Sequence, residues 1–237
     1  MNRGTFIVSS ASVALAGAPA AAAAQNVPGG THFVERKADF DEAAFARMSG
    51  KAADIRMVIE SIAFHPQVFS NIKNALNGLQ FGFGYPENRI AIVFAPHGPS
   101  SAFTYSDYVW NKYKIGEYFK LNDDKGNPVA SNVFLAPASA PSASADPDDS
   151  ASLYQDTSIQ TLQKRGVSFM TCHTAVEEQS RGLVKAGNAP AGMSASDVAN
   201  DILTHLIAGT HVVPSMMGAI MVLQQRYHYG FQTLTFA

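Results

Sequence analysis

The chain has 237 residues, with 17 Lys and Arg against 19 Asp and Glu, a formal charge of −2 and one cysteine, Cys172. A near-neutral chain without a Lys/Arg cluster is a poor match to nucleic acid or an anionic membrane surface. One cysteine excludes an internal disulfide, so the domain must be held by its core, and it excludes a c-type haem, whose attachment takes two cysteines before a histidine.

The first residues carry a positive charge at Arg3, an apolar run from Phe6 to Ala18, Pro19 and an alanine tract ending at Ala24. This pattern predicts a secretory signal peptide over 1–24. The apolar run covers about 13 residues where a membrane-crossing helix needs about 20, so no stable membrane anchor is expected after cleavage. The expected location is periplasmic or secreted. Arg3-Gly4-Thr5-Phe6-Ile7 resembles a twin-arginine signal with glycine in place of the second arginine, which leaves the general and twin-arginine routes both open. About 213 residues then remain, enough for one domain with its own core.

Residues 25–52 read as an N-terminal extension with a short helix, having Asp39 as N-cap, Glu42 three positions on, Phe40, Phe45 and Met48 facing inward and Gly50 as the stop. The domain proper is expected over 53–237. IRMVIESIA (55–63) and RIAIVFA (89–95) read as strands, the second apolar enough to be buried on both faces. Between them Val68, Phe69, Ile72, Ala75, Leu76 and Leu79 recur at helical spacing, completing a βαβ unit. Ser106–Tyr118 reads as one helix with Val109, Trp110 and Tyr113 inward. The pattern then breaks into a polar insertion at about 122–155, whose Pro, Ser, Ala and Asp content predicts a flexible or surface-draped loop over 136–152. A helix using Ile159 and Leu162 and closed by Gly166 leads into a third strand, VSFMTC. Thr174 and Glu177 have capping-box spacing for the next helix, which runs toward Gly187, and Ser194 and Asp197 repeat that spacing for another. Thr210–Val213 gives a fourth strand, Pro214 opens a helix containing Ile220, Leu223 and Tyr227, and YGFQTLTF closes the chain as an edge strand. Strands alternating with helices predict a three-layer α/β fold with a mainly parallel five-stranded sheet.

In such a sheet ligands bind beyond the carboxyl ends of the strands. Phe64-His65-Pro66, Pro96-His97-Gly98 and Thr171-Cys172-His173 all fall there, so three histidines and the thiol are brought to one end if strand order makes their loops neighbours. Each residue also has a structural reading. Cys172 can pack as a small hydrophobe, His65 can cap the helix that follows it, and Gly98 after His97 suits either a sharp turn or a close ligand approach. Position before a helix N-terminus favours a thiolate at Cys172, which a charged His173 reinforces and Glu177 and Glu178 oppose. His211 reads as structural.

The stretches IAIVFAPHGPSSAF, LQKRGVSFMTCHTAV and HVVPSMMGAIMVLQQRYHYGF, in this order, resemble the DsrE/DsrF-like family of small α/β sulfur-relay proteins, and in particular its exported branch. The similarity covers most of 53–236, with 122–155 as an insertion. His173 departs from the pattern, which expects a small amide there. The resemblance implies a homo-oligomer, and a cysteine able to hold a persulfide in exchange with a sulfur donor or acceptor protein. On this basis Cys172 and His173 are the candidate catalytic residues, and His97, Gly98 and His65 the candidate ligand-binding residues. No cofactor is called for. Two other functions compete with sulfur handling: a binding module that holds Cu(I) or Zn²⁺ through Cys172, His173 and His97 or His65, and an oligomeric scaffold in which Cys172 merely packs. Tyr227, Tyr229 and Phe231 are candidates for an aromatic contact surface.

Overall fold

The computed structural model describes residues 33–234, so the signal peptide expected over 1–24 lies outside the described residues. Five strands, β1 (Ile55–Ser61), β2 (Ile90–Pro96), β3 (Ser168–Cys172), β4 (Thr210–Val213) and β5 (Gly230–Thr233), form one sheet in the order β4-β3-β2-β1-β5. Every pairing is parallel. The architecture is a three-layer α/β fold, and the sheet is wholly rather than mainly parallel.

Strand alternation divides the core between two faces. Ile59, Ile92, Phe94 and Phe169 pack against α2 (Gln67–Asn77) and α5 (Ile159–Lys164). Val58, Val93, Ala95, Met170 and Cys172 pack on the other side against α1 (Glu42–Ser49) and α8 (Met216–Tyr227). A third cluster surrounds Trp110 and joins α3 (Asp107–Lys112), α4 (Ile115–Tyr118), α6 (His173–Ala186) and α7 (Ala195–Thr204).

Several local expectations shift. The cap of α1 is Asp41, which accepts from the Ala44 amide at 2.8 Å, because Asp39 is taken up in a turn onto the Arg36 carbonyl. The helix expected over 106–118 is broken into α3 and α4 at Lys114, which adopts a left-handed conformation (φ 48°). Thr174 does not cap α6: its hydroxyl donates to the Phe33 and Pro214 carbonyls, and the helix begins directly at His173 with Cys172 as N-cap. The capping box at Ser194 and Asp197 is present. Ser215 rather than Pro214 caps α8. Of the three aromatic residues near the carboxyl end, Tyr229 is buried and Tyr227 packs on Phe45, so only Phe231 is strongly exposed.

The insertion is draped over the surface and pinned at particular points. Asn132 is buried, its side chain donating to the Phe103 and Tyr105 carbonyls at 2.9 and 2.8 Å, and Phe134 enters the aromatic cluster around Phe103. Asn77 and Lys73 of α2 hold its far end through Tyr154 and Gln155.

A polar knot ties α3 to α7. Asp201 accepts from Tyr113 at 2.7 Å and Lys112 at 2.9 Å, and the His205 ring packs at a tilt against Tyr108. Burial alone would raise the Asp201 carboxyl, but these hydrogen bonds and the Lys112 and His205 charges hold it below its ordinary range. A carboxyl depressed in the folded state stabilises the fold above its unfolded value of about 3.9, and that contribution is lost as pH falls through the folded value. Asp201→Asn is therefore expected to unfold more easily than wild type in urea at neutral pH, with the gap narrowing at a pH below the ordinary carboxylate range. An equal gap at both pH values would show that ionisation of Asp201 contributes nothing.

Candidate functional site

The chain leaving β3 returns to β4 past Ile207 on the α2/α5 side, whereas the chain leaving β4 runs through α8 on the opposite side. Adjacent strands whose exits diverge in this way open a crevice between their carboxyl ends, the usual ligand position in a parallel sheet. Cys172 sits at that point. β3 passes into α6 without a loop, so Cys172 is both the last strand residue and the helix N-cap. Alternation turns Thr171 toward the 3₁₀ helix Gly98–Thr104, where it shares a hydrogen bond with Thr104, and turns Cys172 toward α8. There the Met216 amide, first in α8, donates to Sγ at 3.3 Å. The α8 N-terminus thus aims an N–H at the sulfur of the residue that opens α6, and such a bond becomes charge-assisted when the sulfur is an anion. The thiol is free and only 5 % exposed, with Met170, Ala175, Val213 and Met216 in its cluster.

His173 is the first residue of α6 and is 8 % exposed; Glu177, one turn on, is also buried. Inside the same region Tyr105 donates to Gln179 at 2.7 Å, and Gln179 donates to the Gly98 carbonyl. Burial, followed by the charges of Cys172 and Tyr118, pushes the Tyr105 phenol far above its ordinary range, which keeps it protonated. Gly98 itself has φ +57°, a left-handed turn that lets the chain leave β2 sharply.

His97 comes to the same end of the sheet. β2 and β3 are neighbours, and alternation puts His97 on the α1/α8 side with Cys172. No hydrogen bond joins the two residues. His97 instead pairs with Glu60: Nε2 lies 2.9 Å from Oε1, and the other carboxylate oxygen accepts from Thr233 at 2.6 Å. His65 stands apart from this group, its Nδ1 accepting from the Gln67 amide at 3.2 Å at the start of α2. Among the described residues, no three His, Cys, Asp or Glu side chains converge as a metal-binding set. His211 lies on the α1 side of β4, where burial, then Lys51 and Arg47, lower its pKa.

Sequence reasoning missed Glu60, Thr233, Gln179 and the Met216 amide. Glu60 carried a usable signal, an acid inside an apolar strand. A backbone amide carries none. Two hollows lie away from Cys172, which lines neither: a groove of about 430 Å³ between α1 and α8 that reaches Pro214 and Ser215, and one of about 390 Å³ beside the α2 N-terminus and the insertion. Comparison with known proteins finds no matching family model, no similar curated protein and no similar solved structure.

Proposed function

We propose that the chain is an exported, DsrE/DsrF-like protein that carries sulfur as a persulfide on Cys172. The observation behind this reading is the Met216 amide aimed at Cys172 Sγ where the exits of β3 and β4 diverge. In the loading step the Cys172 thiolate attacks the sulfane sulfur of a donor such as thiosulfate. A new S–S bond forms, the donor's S–S bond breaks, and sulfite leaves with the electron pair. Burial of the sulfur suits small donors and shields the loaded form from oxidants. Export accords with the leader-like residues 1–24. Homo-oligomerisation, implied by the resemblance, accords with the exposed apolar side chains Met217, Met221 and Val222 on α8 and Phe231 on β5.

The test is intact mass after incubation with thiosulfate or polysulfide. Wild type is expected to gain one sulfur atom, about 32 Da, removable by a reducing thiol, and Cys172→Ser is expected to gain none. No gain with either donor on folded wild type sinks the proposal.

A further inference from the structure

A second polar cluster occupies the carboxyl ends of β1, β2 and β5. Glu60 lies in the body of the sheet, 4 % exposed, where an ionised carboxylate is tolerated only if its oxygens are hydrogen-bonded. Both are: Oε1 meets His97 Nε2 at 2.9 Å and Oε2 accepts from Thr233 Oγ1 at 2.6 Å. A carboxylate can only accept, so the imidazole hydrogen belongs on Nε2 and the lone pair of neutral His97 on Nδ1. The His97 amide is anchored to the Ser61 carbonyl at 3.1 Å, which fixes the backbone from which the ring is presented. Nδ1 makes no hydrogen bond among the described residues, and the side chain keeps 19 % of its surface exposed. The arrangement is that of a base presented by a buried carboxylate.

We propose that His97 Nδ1 accepts the proton of a thiol that takes sulfur from Cys172, with Glu60 and Thr233 as positioning residues. This rests on the sulfur-carrier reading. An acceptor enters as R–SH, which attacks poorly until it becomes a thiolate. His97 takes its proton as its sulfur attacks the outer sulfur of Cys172–S–SH. The S–S bond on Cys172 breaks, its electron pair stays on the Cys172 thiolate, the acceptor leaves as R–S–SH, and the proton on His97 passes to water. The cluster is suited to this role because β1, β2 and β3 are consecutive in the sheet, Cys172 ends β3 within the α1/α8 core, and alternation from Val58 and Ala95 turns Glu60 and its partner His97 to that same side.

Two measurements test it. Long-range ¹H–¹⁵N correlation spectra of the full chain are expected to show neutral His97 as the Nε2–H tautomer, and Thr233→Val or Glu60→Gln to weaken that preference. An Nδ1–H tautomer in wild type overturns the proposal. Sulfur transfer to free cysteine is then timed by mass on protein already loaded. Glu60→Gln and His97→Ala are expected to slow it by about 10- to 100-fold, with free imidazole restoring part of the rate to His97→Ala, which loss of packing alone would not permit. Transfer at the wild-type rate in both variants overturns the proposal and leaves the carrier reading standing, whereas failure of wild type to load overturns both.

Discussion

Phe103→Ala is expected to destabilise the protein by about 3–5 kcal/mol, read as a lower urea midpoint with an unchanged slope. Phe103 is fully buried on the 3₁₀ helix Gly98–Thr104 that follows His97. Its ring stacks on Phe64 at 4.1 Å and meets Phe69 at 4.8 Å and Phe134 at 5.2 Å edge-on. Those three rings belong to the loop after β1, to α2 and to the insertion. Truncation removes a large apolar transfer term, leaves a cavity among rings that cannot collapse into it, and forfeits edge-to-face contacts worth about 0.5–1.5 kcal/mol each. Because the same turn sets the exit of β2, a crystal structure or amide exchange of the variant is expected to show disturbance from His97 to Thr104 and around Phe134. A cost below about 1 kcal/mol would mean that the ring cluster repacks and does not fix the loop.

The aromatic cluster also marks the limit of what the sequence reveals. The five strands are legible because each is a short apolar run bounded by turn residues, and parallel pairing follows from helices between them. The ends of those runs carry Cys172 and His97, so the topological rule brings both to one end of the sheet without any contact being known. Two kinds of feature escape. Backbone decisions made by tertiary contact are one, such as the left-handed Lys114 that divides α3 from α4, or Thr174, whose hydroxyl is used by Phe33 and Pro214 instead of capping its own helix. Pairings between distant residues are the other. Glu60 finds His97 at a separation of 37 residues and Thr233 at 173, and no local pattern encodes either partner. The anomaly visible in sequence was the carboxylate itself; its meaning needed the register of β1 against β5, which sets Glu60 opposite Thr233.

The second large effect is expected at Gly116 in α4. A Cβ there would overlap the Val129 carbonyl oxygen and come within 2.9 Å of the Val129 amide and side chain. The contact is backbone against backbone. Leu121 donates to the Gly116 carbonyl at 2.7 Å and Val129 donates to the Leu121 carbonyl at 3.0 Å, so the base of the insertion is laced down where the added methyl would sit. Relief requires moving either α4, which carries the fully buried Ile115, or the segment leading to Asn132 and its two buried carbonyl partners. Gly116→Ala is therefore expected to cost at least the 1–3 kcal/mol of ordinary overpacking, although alanine has the better intrinsic helix propensity. Gly182→Ala on α6 supplies the control. Its Cβ would overlap only the hydroxyl end of Tyr118, a half-buried side chain that can swing aside, so its cost is expected to be the smaller of the two, offset further by the gain in helix propensity. Equal thermal midpoints for the two variants would show that the insertion yields as readily as a side chain and that its lacing to α4 contributes little. A clear ordering, with Gly116→Ala the less stable, assigns the close approach to the backbone and makes the start of the insertion part of the folded core.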